Sequence, residues 1–151
     1  MASGEDIGRQ IESAIAEASK VFDEPTMLEI GYLAQNIITL RTKKGLDADR
    51  VPFAPYTKDY ATWRAKKGRS ATTVDLAFTG HMQGAEVVTA KTNEMTIAFG
   101  AEHQAQIAAY INDGTRKMAK REWFDVRHPD EIDVIEDAIG AKIQGHLEKI
   151  R

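Results

Sequence analysis

The sequence predicts an α+β domain that has N-terminal helices, a small antiparallel sheet with a long loop, and a C-terminal helix. Apolar residues recur at helical spacing in residues 7–38 and again in residues 132–147. Residues 83–100 instead form two strand-like runs around a polar turn. Helices on both sides of a hairpin, without regular alternation of strand and helix, favour an α+β fold.

The chain length suits a single domain. A chain of 151 residues can bury a working core without metal or disulfide staples. We divide this domain, residues 1–151, into N-terminal helices (1–44), an extended basic and aromatic loop (45–75), and an α+β core (76–151). The sequence has no cysteine, which excludes disulfides and thiolate metal sites. It contains neither a long apolar run nor a basic-then-apolar leader, so we expect a soluble protein made in the cytoplasm.

Start and stop signals delimit the two N-terminal helices. Ser3 and Asp6 resemble a capping box at the start of the first helix. Pro25 marks a break and a restart, because proline suits a first helical turn, and it predicts either two successive helices or one long helix kinked at Pro25. Gly45 follows a basic last turn and predicts the end of the second helix.

The second half of the chain predicts a hairpin, a helix, a short strand and a last helix. Residues 95–99 alternate as one strand of a hairpin with one buried face. Residues 102–112 return to helical spacing, and residues 121–126 are a short strand candidate. Pro129 then opens the last helix, whose isoleucine stripe is most simply core. Part of that stripe could instead dock onto a partner subunit.

Residues 45–75 predict a long ordered loop with one short helix near residues 58–66. Loops of this length in compact domains tend to be functional or disordered. Phe53, Tyr56, Tyr60 and Trp63 argue against disorder, because four aromatic side chains need a surface to pack on.

The net charge of −3 conceals a strong asymmetry. Residues 1–40 hold seven acidic and two basic side chains, whereas residues 41–70 hold nine basic and three acidic ones. Adjacent blocks of opposite charge can indicate head-to-tail self-association, contact with nucleic acid, or two solvated surfaces. Cations interleaved with aromatic side chains, as in residues 56–69, are also typical of nucleic-acid grooves. Because the whole chain is acidic, we favour a protein–protein contact for this segment. Its aromatic side chains could also be ordinary core packing from one side of the loop.

No catalytic, cofactor or metal site is predicted. The chain has no Gly-x-Ser-x-Gly elbow, Walker A motif or dinucleotide glycine pattern. A serine–histidine–acid triad stays open, because such groups meet only in space. Asp125, His128 and Asp130 match no established metal-ligand spacing, and we expect them to cap the last helix and its preceding turn.

Short motifs between residues 52 and 124 occur in the same order as in a known family. They are Pro52-Phe53-Ala54-Pro55-Tyr56, Leu76-Ala77-Phe78-Thr79-Gly80-His81-Met82, Ile97-Ala98-Phe99-Gly100 and Arg121-Glu122-Trp123-Phe124. In this order the chain resembles the Mu-like virion morphogenesis, or tail-completion, family of tailed bacteriophages. At Tyr110-Ile111-Asn112-Asp113-Gly114 it departs from the family pattern, because isoleucine stands where the family often has histidine.

The resemblance implies a structural virion protein that acts in tail completion or head–tail joining. Such proteins commonly form rings of identical subunits, so the implied partners are further copies and neighbouring neck, tail or connector proteins. Proximity to DNA would be incidental, and no membrane is involved. The implied location is the virion, after synthesis in the host cytoplasm. We expect the loop to act as an arm, with aromatic anchors and cations that set orientation. These interface candidates are Pro52, Phe53, Tyr56, Tyr60, Trp63, Arg64, Lys66, Lys67 and Arg69.

Overall fold

The computed structural model describes residues 4–77 and 79–150, and in them the chain forms helices and one antiparallel hairpin. Ser3, Phe78 and the side chains of Ile7, Ile11, Ala14 and Ala18 lie outside the described parts. The elements in order are α1 (Gly4–Ser19), a 3-10 turn (Lys20–Phe22), α2 (Glu24–Lys43), α3 (Lys58–Lys66), α4 (His81–Gly84), β1 (Glu86–Lys91), β2 (Glu94–Phe99), α5 (Glu102–Asp113) and α6 (Pro129–Ile150). No helix in these ranges is both long and apolar enough to cross a bilayer.

The predicted break between the first two helices is confirmed. The Asp23 carboxylate accepts a hydrogen bond from the Thr26 amide at 2.9 Å and so caps α2, with Pro25 in the first turn. At the other end, Gly45 follows the basic last turn with a φ of +79°. This left-handed conformation suits glycine, as the sequence pattern predicts.

The hairpin is confirmed with its polar turn in place. Val88 pairs with Ile97, and Lys91 pairs with Glu94, so Thr92 and Asn93 form the turn. Asn93 has a φ of +61°, a conformation that asparagine tolerates better than most residues. Its amide donates to the Phe22 carbonyl at 2.9 Å, which ties the turn to the 3-10 segment. One face of the hairpin packs against α2, where Val88 is buried.

The prediction of a strand at residues 121–126 is wrong. The described chain has no ladder there, because other groups satisfy the backbone of this segment. The side-chain oxygen of Asn112 accepts from the Trp123 amide at 3.2 Å. Arg41 donates to the carbonyls of Trp123 and Asp125 at 2.5 and 2.7 Å. The segment is therefore an irregular connection held by side chains.

The core lies between α2, the loop after it, the hairpin and the segment before α6. Trp123 is fully buried and contacts Phe99 and Phe124, with ring centroids 6.1 and 5.2 Å away. Ile38, Phe53, Val74, Met82 and Ala108 complete the buried cluster. Because these residues come from every part of the chain after α1, the core depends on long-range packing.

Residues 45–75 fold against this core and do not project as an extended arm. The Asp47 carboxylate accepts from the amides of Asp49 and Val51 at 2.9 Å, which closes a tight turn. The Ala48 amide donates to the Glu122 carbonyl at 2.8 Å. Within the segment, α3 forms at residues 58–66 as predicted.

Candidate interaction surfaces

The interface residues that the sequence indicates divide into buried and exposed members. Phe53 is 6% exposed and Arg64 is 1% exposed, so both belong to the interior and offer no surface to a partner. Tyr56 is half-buried. The exposed members are Pro52, Tyr60, Trp63, Lys66, Lys67 and Arg69.

Arg64 holds the loop closed from within. Its guanidinium donates to the Ser70 carbonyl at 2.8 Å, the Ala77 carbonyl at 3.1 Å and the Asp75 carboxylate at 2.9 Å. It also lies over the Tyr56 ring, 4.6 Å from the centroid. A basic residue in a charged run is usually solvated, so sequence pattern alone did not reveal this structural role.

Arg121 is a second arginine that holds the loop near Tyr56. It donates to the carbonyls of Ala54 and Pro55 at 2.9 and 3.0 Å, and it lies 5.5 Å from the Tyr56 ring centroid. Burial between these groups raises the pKa of the Tyr56 hydroxyl above its ordinary value. Tyr56 is thus a packed element of the fold, with only part of its surface available.

The motifs that carry the family resemblance meet in this region. The Arg121 amide donates to the Ile111 carbonyl at 2.9 Å, which ties the motif at residues 121–124 to residues 110–114, where the chain departs from the family pattern. The Arg121 side chain also donates to two backbone carbonyls of residues 52–56, and Phe99 packs on Trp123 and Phe124. Segments that are far apart in the sequence therefore form one structural unit.

The exposed part of α3 forms a ridge with aromatic and basic character. Tyr60 and Trp63 stack with ring centroids 5.6 Å apart and an angle of 23° between the planes. They are 39% and 42% exposed. Lys66 and Lys67 follow at the end of the helix, and no ion pair joins either to a carboxylate of the described residues. We call these four residues the α3 ridge.

An open apolar groove lies between α2, β2 and α6. Its volume is about 510 Å³, and its walls include Ile38, Ile97, Phe124, Ile132 and Ile135. Asp125, which is paired with Arg127 at 3.6 Å, and Glu136 also line it. We call it the α6 groove. The sequence showed only the isoleucine stripe of α6, because the other walls come from residues 34–38, 95–97 and 124–126.

A second cavity of about 580 Å³ lies beside α3, α4 and α5. Tyr56, Tyr60 and Ile107 give it an apolar wall, and His81 and His103 also line it. The described residues around this cavity include no aspartate or glutamate. Neither histidine side chain is hydrogen-bonded to a carboxylate in the described chain, so no nucleophile–base–acid relay is formed there.

The residues before α6 have a capping role. The Asp130 amide donates to the Nδ1 atom of His128 at 3.3 Å, at the start of the helix. Within residues 4–77 and 79–150, no three histidine, aspartate or glutamate side chains are grouped closely enough to hold a metal ion.

Comparison of the chain with protein-family models, curated proteins and solved structures gives no match. The function is therefore argued from the motifs and surfaces of this chain.

Proposed function

We propose that this protein is a structural subunit of a tailed-phage virion, which joins copies of itself into a ring during tail completion or head–tail joining. Its other contacts would be with neighbouring neck, tail or connector proteins. In this role the exposed surfaces are the working parts, and the buried motifs provide the frame that positions them.

The observation that carries this proposal is the convergence of the resembling motifs on Arg121 and Trp123. Apolar segments of any small domain share one core, so the contacts of the charged Arg121 are the more informative ones. Here Arg121 bonds the carbonyls of Ala54 and Pro55, and Trp123 packs against Phe99. Together with the order of the motifs along the chain, this hydrogen bonding of one motif by another supports the proposal.

The exposed surfaces support a ring in particular. The α3 ridge is basic and aromatic, whereas the α6 groove is apolar with an acidic edge. Contacts between two different patches of identical subunits are heterologous, and they close into a ring when the rotation per subunit allows it. A protein with two unlike, complementary patches suits that geometry.

The direct test is the mass and symmetry of the purified protein. We expect light scattering to give a multiple of the 16.8 kDa chain mass, and negative-stain electron microscopy to show closed rings. A protein that stays monomeric from about 1 μM to about 1 mM would contradict the proposal, since that range covers even weak self-association.

A nucleic-acid-binding module that uses residues 41–70 is the second candidate. The specific observation in its favour is the exposed Tyr60–Trp63 stack beside Lys66 and Lys67, because bases stack on such platforms. A salt-titrated binding assay on duplex and single-stranded DNA separates the two. Submicromolar binding that weakens steeply with salt, and that a Trp63→Ala change reduces at least tenfold, would favour this candidate.

A further inference from the structure

The α3 ridge has the composition of an interface anchor. Tyrosine and tryptophan supply large, rigid contact areas and dominate the binding energy of many interfaces. Tyr60 and Trp63 already stack on each other, so their rings lose little freedom when a partner covers them. The adjacent Lys66 and Lys67 give this anchor a positive flank.

The α6 groove has the complementary composition. Phe124, Ile132 and Ile135 offer apolar walls, and a volume of about 510 Å³ lies in the range of pockets that enclose small organic groups. Glu136 also lines the groove, and Asp133 is exposed on the same helix, directly after the groove-lining Ile132. No ion pair joins Asp133 or Glu136 to a cation of the described residues. The groove is therefore an apolar site with carboxylates of α6, unpaired within the described residues, in its lining and next to it.

From this complementarity we infer that the α3 ridge of one copy docks into the α6 groove of the next copy. Tyr60 and Trp63 enter the apolar groove, and Lys66 and Lys67 face Asp133 and Glu136. The inference rests on the proposed function, and it names the subunit contact that the ring would use.

The positions of the two surfaces allow every copy to make both contacts at once. The ridge lies beside the cavity of α3, α4 and α5, whereas the groove is walled by α2, β2 and α6, and the two share no lining residue. Filling the groove of a subunit therefore leaves its own ridge free for another copy. This is the arrangement that a head-to-tail assembly requires.

Charge reversal with rescue tests the pairing. We expect Lys66→Glu/Lys67→Glu to weaken self-association at least tenfold, because like charges would then face each other. Adding Asp133→Lys/Glu136→Lys in the same chain should restore association to within about threefold of the original. Lys43→Glu/Lys44→Glu is the matched control, since it makes the same charge change at exposed positions at the end of α2 and should leave association unchanged.

Cysteine cross-linking tests which residues of two copies lie close together. The natural chain contains no cysteine, so only the introduced cysteines can react. Asp59→Cys lies on the ridge face four residues before Trp63, and Ile132→Cys lies at the groove. We expect a short bis-maleimide to join these two variants when they are mixed. Asp59→Cys mixed with Thr89→Cys, an exposed position on β1, is the control and should not cross-link. Circular dichroism melting of each variant shows that it remains folded.

The outcomes separate the inference from the proposed function. Rings that form without the Asp59–Ile132 cross-link, or that Lys66→Glu/Lys67→Glu leaves intact, would overturn the inference while the ring-forming function stands. Loss of DNA binding by that variant, with assembly unchanged, would assign the ridge to nucleic acid and would also overturn it. A monomer at every concentration would overturn both.

Discussion

Arg41 connects the end of α2 to the start of α6 from a fully packed position. Its guanidinium donates to the Glu131 carboxylate at 2.6 Å, and both side chains are almost entirely buried. It also satisfies the carbonyls of Trp123 and Asp125. Both terminal nitrogens of the guanidinium are paired, whereas its buried Nε atom has no hydrogen-bond partner among the described residues. Because a buried charge is tolerated only when it is paired and hydrogen-bonded, the fold requires these partners of Arg41.

Replacing Arg41 by methionine should destabilise the protein by about 3–5 kcal/mol, because Glu131 would keep a buried charge without its main partner. The double change Arg41→Met/Glu131→Gln should cost less than the single one, since no buried carboxylate remains. Urea unfolding followed by circular dichroism measures both. Lys20→Ala, which removes an exposed ion pair with Glu17, is the control and should leave the unfolding midpoint unchanged. Equal costs for the single and double variants would contradict this explanation.

Glu86 is a partly buried carboxylate at the start of β1. Burial raises its pKa above the ordinary value of 4.5, and the nearby Gln35 amide offsets part of that rise. Neither carboxylate oxygen of Glu86 is within hydrogen-bonding geometry of a described group. The folded state therefore favours the protonated form. The protonated Glu86 side chain therefore favours the folded state, and this effect is fully present below pH 4.5. It is lost as the pH rises through the higher pKa of the folded state, because the buried carboxyl must then ionise.

We therefore expect Glu86→Gln to be more stable than the natural protein at neutral pH, with a difference that disappears towards pH 4. The free energy of unfolding in urea, measured from about pH 4 to about pH 8, gives this difference directly. Glu94→Gln makes the same chemical change at an exposed position on β2 and is the control. A difference that does not vary with pH would show that the Glu86 carboxylate is not responsible.

At the scale of elements, the hairpin depends on a close approach to α2. A Cβ atom on Gly31 would lie 2.5 Å from the Cγ1 atom of Val88, so only glycine lets the two elements touch here. The pairing of Val88 with Ile97 then places the inner face of the sheet against the helix.

Gly31→Ala should cost about 1–3 kcal/mol, because the helix and the hairpin must separate to admit one methyl group. Gly140→Ala on α6 is the matched control: nothing lies within 4 Å of its added Cβ, so the change should stabilise the protein by about 0.5–1 kcal/mol through helix propensity. The melting temperatures of both variants, compared with that of the natural protein, measure these changes in stability. If Gly31→Ala raised the melting temperature as Gly140→Ala does, the close approach would have no energetic importance.

Elements with local signals could be predicted from the sequence, whereas elements held by distant partners could not. The short helix at residues 58–66 and the turn at Asn93 follow from nearby residues. Segment 121–126 looked like a strand, but its backbone partners include Asn112 and Arg41, the latter 82 residues from Trp123. The same reason hid the α6 groove. The burial of Arg64 depends on nearer groups, 6 to 13 positions along the chain, but most of them are backbone carbonyls, which carry no sequence signal.

At the scale of the whole molecule, the two tryptophans report on different regions. Trp123 is fully buried in the core, and Trp63 is 42% exposed on the α3 ridge. The described molecule thus combines a single tightly packed interior with aromatic groups left on its outside.

Acrylamide should quench the fluorescence of Trp63 and leave that of Trp123 almost unchanged in the folded monomer. A Trp63→Phe variant should therefore show blue-shifted emission that resists quenching. The proposed contact between copies predicts that quenching of Trp63 falls as the natural protein is concentrated, because a neighbour would cover the ridge. Quenching that is independent of concentration in a protein that does associate would place Trp63 outside the contact.

During translation, α2 is made long before Glu131, which follows Arg41 by 90 positions. Until that carboxylate and the carbonyls near Trp123 emerge from the ribosome, the guanidinium stays hydrated and α2 cannot take its final place. Most of the domain must therefore be synthesised before Arg41 acquires its partners and this part of the core can close.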